Sequence, residues 1–153
     1  MTEVRPRLGH VGFTVSDLDA SIAFYRDLVG MRVAARLETG GPWFDELTHN
    51  HDAAIGVAML ELGEMTLQLV AYRRAGGEPA QVAHHRPGSP HLSIEVDDVD
   101  ARYAAITATG RHHPTAIVDI LGAGIRSFYV KDPDGIPVEF LQMPGGPGHQ
   151  RHA

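Results

Sequence analysis

Two histidines, a glutamine and a glutamate carry most of the chemical potential of this chain. His10 opens the apparent strand His10-Val11-Gly12-Phe13-Thr14-Val15, and eighty-one positions later His91 opens His91-Leu92-Ser93-Ile94-Glu95-Val96. The same gapless offset matches Val15 with Val96, Asp17 with Asp98, Asp19 with Asp100, Ala20 with Ala101 and Ala23 with Ala104. A unit has been duplicated, and its histidine with it. Two copies related by a pseudo-two-fold can bring equivalent side chains together, so paired histidines suggest a metal or acid-base centre. A polar residue also interrupts one apolar run in each copy: Gln68 in Thr66-Leu67-Gln68-Leu69-Val70 and Glu139 in Pro137-Val138-Glu139-Phe140-Leu141. An ionised glutamate among apolar neighbours is costly unless it is paired or bound to a cation. Two imidazoles, one carboxylate and one amide suit a divalent ion of borderline hardness: Co, Ni, Mn, Fe or Zn. His10, Gln68, His91 and Glu139 are therefore the candidate metal ligands. In an octahedral shell they leave two positions for water or for two substrate oxygens.

Composition narrows the classes of function. At 153 residues and 43% hydrophobic, the chain suits one globular domain or two half-size modules sharing a core. Its net charge of -6 argues against sequence-independent nucleic-acid binding, which needs excess Lys and Arg along one face. Without cysteine there is no disulfide framework and no thiolate nucleophile or ligand, so a bound metal is held by nitrogen and oxygen. Residues 1–7 lack the apolar stretch of a secretory signal, and nowhere do eighteen apolar residues run together. The expectation is a soluble cytoplasmic protein with a small-molecule substrate, no nucleic-acid partner and no membrane contact.

The elements that must position these residues follow from periodicity. Residues 10–15 alternate as a strand, and then the period changes: Leu18, Ile22, Tyr25 and Leu28 fall at helical spacing behind a Ser16-Asp17-Leu18-Asp19 cap, ending near Gly30. Residues 31–37 read as a second strand and 38–53 as a long polar loop, of the kind that is usually functional. Residues 55–62 and 65–72 form a hairpin with Gly63-Glu64 at its turn. After a Gly- and Pro-rich connection the order repeats, with strands at 91–96, 115–118, 125–130 and 138–142 and a helix from Asp97-Asp98 to about Thr109. The organisation is an arm at 1–7, a βαβββ module at 8–72, a linker at 73–89, a second βαβββ module at 90–143 and a fraying tail at 144–153. The fold class is α+β.

The two modules, the histidines on their first strands, Gln68 and Glu139 on their last, and Phe128-Tyr129-Val130-Lys131-Asp132-Pro133-Asp134-Gly135 before Glu139 resemble the vicinal oxygen chelate superfamily. That family includes glyoxalase I, methylmalonyl-CoA epimerase, extradiol dioxygenases, fosfomycin resistance enzymes and bleomycin-binding proteins. The resemblance covers residues 8–143. It implies tandem modules whose sheets curve into a half-open barrel, one divalent metal on the positions of His10, Gln68, His91 and Glu139, and a homodimer. The ligand set is most similar to that of the epimerase, which has Gln where many glyoxalases have Glu. Epimerase and glyoxalase both remove and return a proton next to a carbonyl, with the metal stabilising the developing enediolate. The base is then Glu139 itself or a residue of the 38–53 loop: Glu46, His49, His51 or Asp52, of which Asp52 aligns nearest the epimerase's acidic position. Glu139, Asp52 and Tyr129 are the candidate catalytic residues.

Two alternatives remain open. An extradiol dioxygenase uses iron(II) in a two-His, one-carboxylate triad, which His10, His91 and Glu139 supply, and Tyr129 fits the same pattern. The histidine expected before Phe128 is missing, since 120–122 is Ile-Leu-Gly. A non-catalytic antibiotic-binding resistance protein is the other alternative, with Trp43 and the acidic surface suiting a cationic aromatic drug. Other polar residues have plainer roles. The four aspartates at the helix starts read as caps, and His84-His85 and His112-His113 as solvated loop residues, because adjacent side chains diverge. Trp43, Phe44 and Tyr72 are candidates for the pocket lining.

Overall fold

The alternation after His10 becomes β1 (Val11–Thr14), with Phe13 buried and Gly12 and Thr14 exposed. Residues 5–74 and 77–145 are described in the computed structural model, which divides into two units, residues 1–79 and 80–153. In the first unit, α1 (Leu18–Ala23) starts at Asp17, whose carboxylate accepts the Ala20 N–H at 3.0 Å. It continues as a π-helical turn (Phe24–Val29) and stops at Gly30, which takes the left-handed conformation that favours glycine (φ 94°). The helical segment packs Leu18, Ile22 and Tyr25 inward and is followed by β2 (Arg32–Gly40), α2 (Pro42–Thr48), β3 (Ala54–Leu62) and β4 (Met65–Tyr72). The sheet order is β1-β4-β3-β2, with β1 parallel to β4 and the other pairs antiparallel. Ala58, Leu60, Leu67 and Leu69 are fully buried and form the core on the face that carries α1. Each such leucine contributes on the order of 1.5–3 kcal/mol by leaving water.

The second unit repeats this plan with fewer residues. β5 (Leu92–Glu95) leads to α3 (Val99–Ala108), whose cap Asp98 accepts the Ala101 N–H at 2.8 Å. β6 (Val118–Ile120), β7 (Ile125–Lys131) and β8 (Pro137–Gln142) complete a sheet ordered β5-β8-β7-β6. Phe128 and Phe140 stack at 5.3 Å, both buried, on the helix-bearing face. There Arg126 pairs with Asp100, in the first turn of α3, and the Gln142 side chain accepts the Val99 N–H at 3.0 Å. Of the four aspartates expected to cap, Asp17 and Asp98 do so, whereas Asp19 pairs with Arg36 and Asp100 with Arg126. This is the tandem βαβββ α+β arrangement.

Two expectations need correction, and a third lies almost wholly outside the described residues. The polar stretch 38–53 is not a loop throughout: β2 runs to Gly40 and α2 occupies Pro42–Thr48. Pro42 sits where its missing N–H costs nothing, and Phe44 alone of that helix is buried, so a single anchor was masked by polar neighbours. The strand expected at 115–118 forms at Val118–Ile120 instead, because Thr115 spends its backbone N–H on the Tyr129 carbonyl and its hydroxyl on the Tyr129 N–H. The fraying expected for 144–153 falls almost wholly outside the described residues. No helix among the described residues is long and apolar enough to cross a membrane.

Candidate functional site

Strand register decides which candidate residues share a face. Gly12 of β1 lies opposite Gln68 of β4, and Ser93 of β5 lies opposite Glu139 of β8. Each histidine stands two residues before the first member of its pair, so at the strand period His10, Gly12 and Gln68 belong to one face, and His91, Ser93 and Glu139 to another. In both units this is the face opposite the helix, since Phe13, Leu67, Ile94 and Phe140 alternate with these positions and fill the core. The duplication of the sequence is therefore a duplication of position. Gln68 and Glu139 occupy the same place in the two sheets.

Their surroundings differ. In the second unit, Tyr129 of β7 is directly opposite Glu139. Ser127, two residues earlier on the same face, donates to Glu139 Oε1 at 2.7 Å. Hydroxyl donors on a half-buried carboxylate stabilise its charge and fix its orientation. Burial and the neighbouring Glu139 charge push the Tyr129 phenol above its ordinary value of 10.0, so it is a protonated donor at neutral pH. In the first unit the residue opposite Gln68 is Met59, and the position matching Ser127 is Val57. The neutral member of the pair has an apolar neighbourhood and the anionic member has donors. The Gln68 Oε1 lies 3.6 Å from where a Gly12 Cβ would be, so the bare backbone of β1 leaves the amide room.

Asp52 is placed elsewhere in the first unit. It precedes β3, while Met59 marks the level of Gln68, and the strand from Ala54 to Met59 alone spans about 17 Å. Its carboxylate pairs with Arg74 at 3.3 Å, and its N–H donates to Asp45 Oδ2 at 3.0 Å. Asp45 Oδ1 also accepts the Ala53 N–H at 3.1 Å, so one carboxylate ties α2 to the start of β3. Asp45, His51, Asp52 and Arg74 line a surface cavity of about 550 Å3. Phe44 leans from α2 onto Ala53, Ile55 and Val57, with Tyr72 beside it and Trp43 edge-on at 5.4 Å. Among the described residues no three His, Asp or Glu side chains gather as a metal-holding group. The four candidate ligands are thus two pairs, one per unit: imidazole with amide, and imidazole with carboxylate. As donor types they fit a borderline divalent ion, and the half-buried, hydroxyl-supported Glu139 fits a carboxylate ligand held by outer-shell bonds.

Ser127 was not singled out from the sequence, and His84, exposed in a turn as expected, makes a contact the sequence did not show. A hydroxyl two residues before Tyr129 in an otherwise apolar strand was the available signal for Ser127. His84, expected to be a solvated loop residue, packs its ring perpendicular to Tyr129, with centroids 4.7 Å apart.

This fold, with its repeated polar pair, defines a class of proteins. The chain belongs to the Glyoxalase/Bleomycin resistance protein/Dioxygenase superfamily, whose family model matches residues 7–140. It is 32% identical over 145 residues to a 2-epi-5-epi-valiolone epimerase from an Actinomyces species, covering 90% of this chain and 79% of that protein. It is 29% identical to a lactoylglutathione lyase of Haemophilus influenzae over 135 residues, covering 87% and 90%. A glyoxalase family protein from Bacillus cereus superposes with a TM-score of 0.81 at 19% identity, covering 95% and 99%, a likeness of fold.

Proposed function

We propose that the protein is a divalent-metal-dependent enzyme that moves a proton next to a carbonyl, an isomerase or lyase of the epimerase and glyoxalase type. The observation that carries this reading is the equivalence of Gln68 and Glu139 in register, each on the face of its own histidine. His10, Gln68, His91 and Glu139 would hold the ion. When bound, a divalent ion supplies Lewis-acid polarisation of substrate oxygens. Glu139 takes the proton at a carboxylate oxygen and returns it, while Ser127 and Tyr129 hold that carboxylate in place. Tyr129, as a protonated phenol, donates. Asp52 is the second carboxylate in this reading, but its ion pair with Arg74 favours Glu139 as the base. The relatives named for an epimerase and a lyase support the same reaction type.

The test begins with chelator-treated protein resupplied with cobalt, nickel, manganese, iron or zinc. Deuterium uptake from solvent is then followed in 2-epi-5-epi-valiolone, a hemithioacetal and an acyl-CoA. Metal-dependent exchange in one of them supports the reading. Oxygen uptake with a catechol and iron(II), or tight drug binding without turnover, would replace it.

A further inference from the structure

Tyr129 meets two imidazole rings. His84 lies perpendicular to it (77°) at a centroid distance of 4.7 Å, and His91 is also nearly perpendicular (73°) at 6.4 Å. Both arrangements fall in the favourable edge-to-face range for aromatic pairs. His91 is already a candidate ligand; His84 is not. It comes from the segment before β5, and that segment has its own hydrogen bonds. The Arg86 N–H reaches the Ala83 carbonyl at 2.9 Å, the Ser89 N–H reaches the Arg86 carbonyl at 3.1 Å, and Ser89 Oγ accepts the Ala83 N–H at 3.1 Å. His84 is thus delivered to Tyr129 by a closed turn. The contact adds little to the core, because His84 is exposed.

Both backbone groups of Tyr129 are bonded to Thr115: its carbonyl accepts the Thr115 N–H at 2.8 Å and its N–H donates to the Thr115 hydroxyl at 2.9 Å. Those bonds leave the side-chain rotation of Tyr129 to its ring contacts. A tyrosine that rotated away would take its hydroxyl from the side of Glu139, its partner in register, and leave Ser127 alone beside the carboxylate. We propose that His84 is a positioning residue: its ring holds Tyr129 in the rotamer that keeps the phenol on Glu139. Its effect on metal binding rests on the assignment of Glu139 as a ligand, whereas its effect on Tyr129 does not.

The test compares His84→Ala, His84→Phe and the neighbouring His85→Ala in the full chain, with ring-labelled tyrosine and Tyr129→Phe to assign the signal. In metal-free protein, His84→Ala should shift the Tyr129 ring resonances, His84→Phe should return them toward their original positions, and His85→Ala should leave them alone. Cobalt affinity should fall roughly two- to tenfold in His84→Ala and recover in His84→Phe, the range expected for losing one aromatic pair. Unmoved Tyr129 signals in His84→Ala, or a His84→Phe protein as impaired as His84→Ala, would overturn the proposal. If unsubstituted protein binds no cobalt, the ligand assignment fails and the metal-free tyrosine signals alone decide the role of His84.

Discussion

Tyr129 stands directly across from Glu139 in the register of β7 and β8, and Ser127 donates its hydroxyl to that carboxylate, whereas the neighbours of Gln68 at the equivalent positions are Met59 and Val57. The two halves of the chain thus share backbone register and differ in polar support. Only the anionic member needs donors, because an amide can be solvated or coordinated at smaller cost than a charge. The broken symmetry leaves Glu139 as the only member of the pair able to take up a proton.

Glu139→Gln would remove the charge of the proposed ligand while keeping its shape. Cobalt affinity should drop by at least about tenfold to a hundredfold, with circular dichroism unchanged. Tyr129→Phe should give a smaller loss, about tenfold, since it deletes a hydroxyl opposite the proposed ligand and leaves Ser127 in place. Isothermal titration with cobalt checks both. A Tyr129→Phe protein with unchanged affinity would show that Ser127 alone orients the carboxylate.

Gly12 predicts a graded response. A Cβ at that position meets only Gln68 Oε1, at the ordinary contact distance of 3.6 Å, so Gly12→Ala should change stability by no more than about 0.5 kcal/mol. Gly12→Leu extends over the amide and should displace it. Metal affinity should then fall while the urea midpoint stays close to that of the parent protein.

Much of this was legible in the chain. The 10-to-91 offset gave both first strands, and Asp17 and Asp98 marked both helices, because capping is a local event that needs no tertiary information. Gln68 and Glu139 stood out as polar residues in apolar runs. What could not be read was anything set by cross-strand distance: Ser127 reaching Glu139, and His84 reaching Tyr129 from forty-five residues away (84 to 129). The helix α2 was hidden for another reason. Its stability comes from one buried ring, Phe44, and from Asp45 binding two N–H groups beyond its end, so it lacks an apolar stripe.

Acid should destabilise the fold in two stages. The His112 imidazole, expected to be solvated but partly buried, lies below its ordinary 6.5, mainly through partial desolvation; the folded state disfavours its proton, so its contribution is present above 6.5 and is lost as pH falls through the depressed value. Asp19 and Asp100 lie below their ordinary 3.8 because Arg36 and Arg126 bond them. Their contribution is present above 3.8 and is lost at still lower pH. Urea midpoints measured from pH 7.5 to 2.5 should show both declines. His112→Gln should flatten the first, and Asp100→Asn should reduce the second.

The joint between β2, α2 and β3 should be the most sensitive backbone site near the candidate pocket. Gly40 has φ 155°, and a Cβ there would lie 2.4 Å from the Ala53 carbonyl oxygen, a backbone atom with no side-chain freedom to move aside. Gly40→Ala should therefore cost about 2–4 kcal/mol by urea unfolding. Asp45→Ala leaves the backbone unstrained but releases the Asp52 and Ala53 N–H groups, at about 1–2 kcal/mol. The two variants separate strain from latching. Hydrogen exchange in Asp45→Ala should rise across α2 and at 52–53 while β1 and β4, which hold Gly12 and Gln68, keep their protection; if protection at β4 fell as well, α2 would be a support for the Gln68 strand and not a latch on its own end of the sheet.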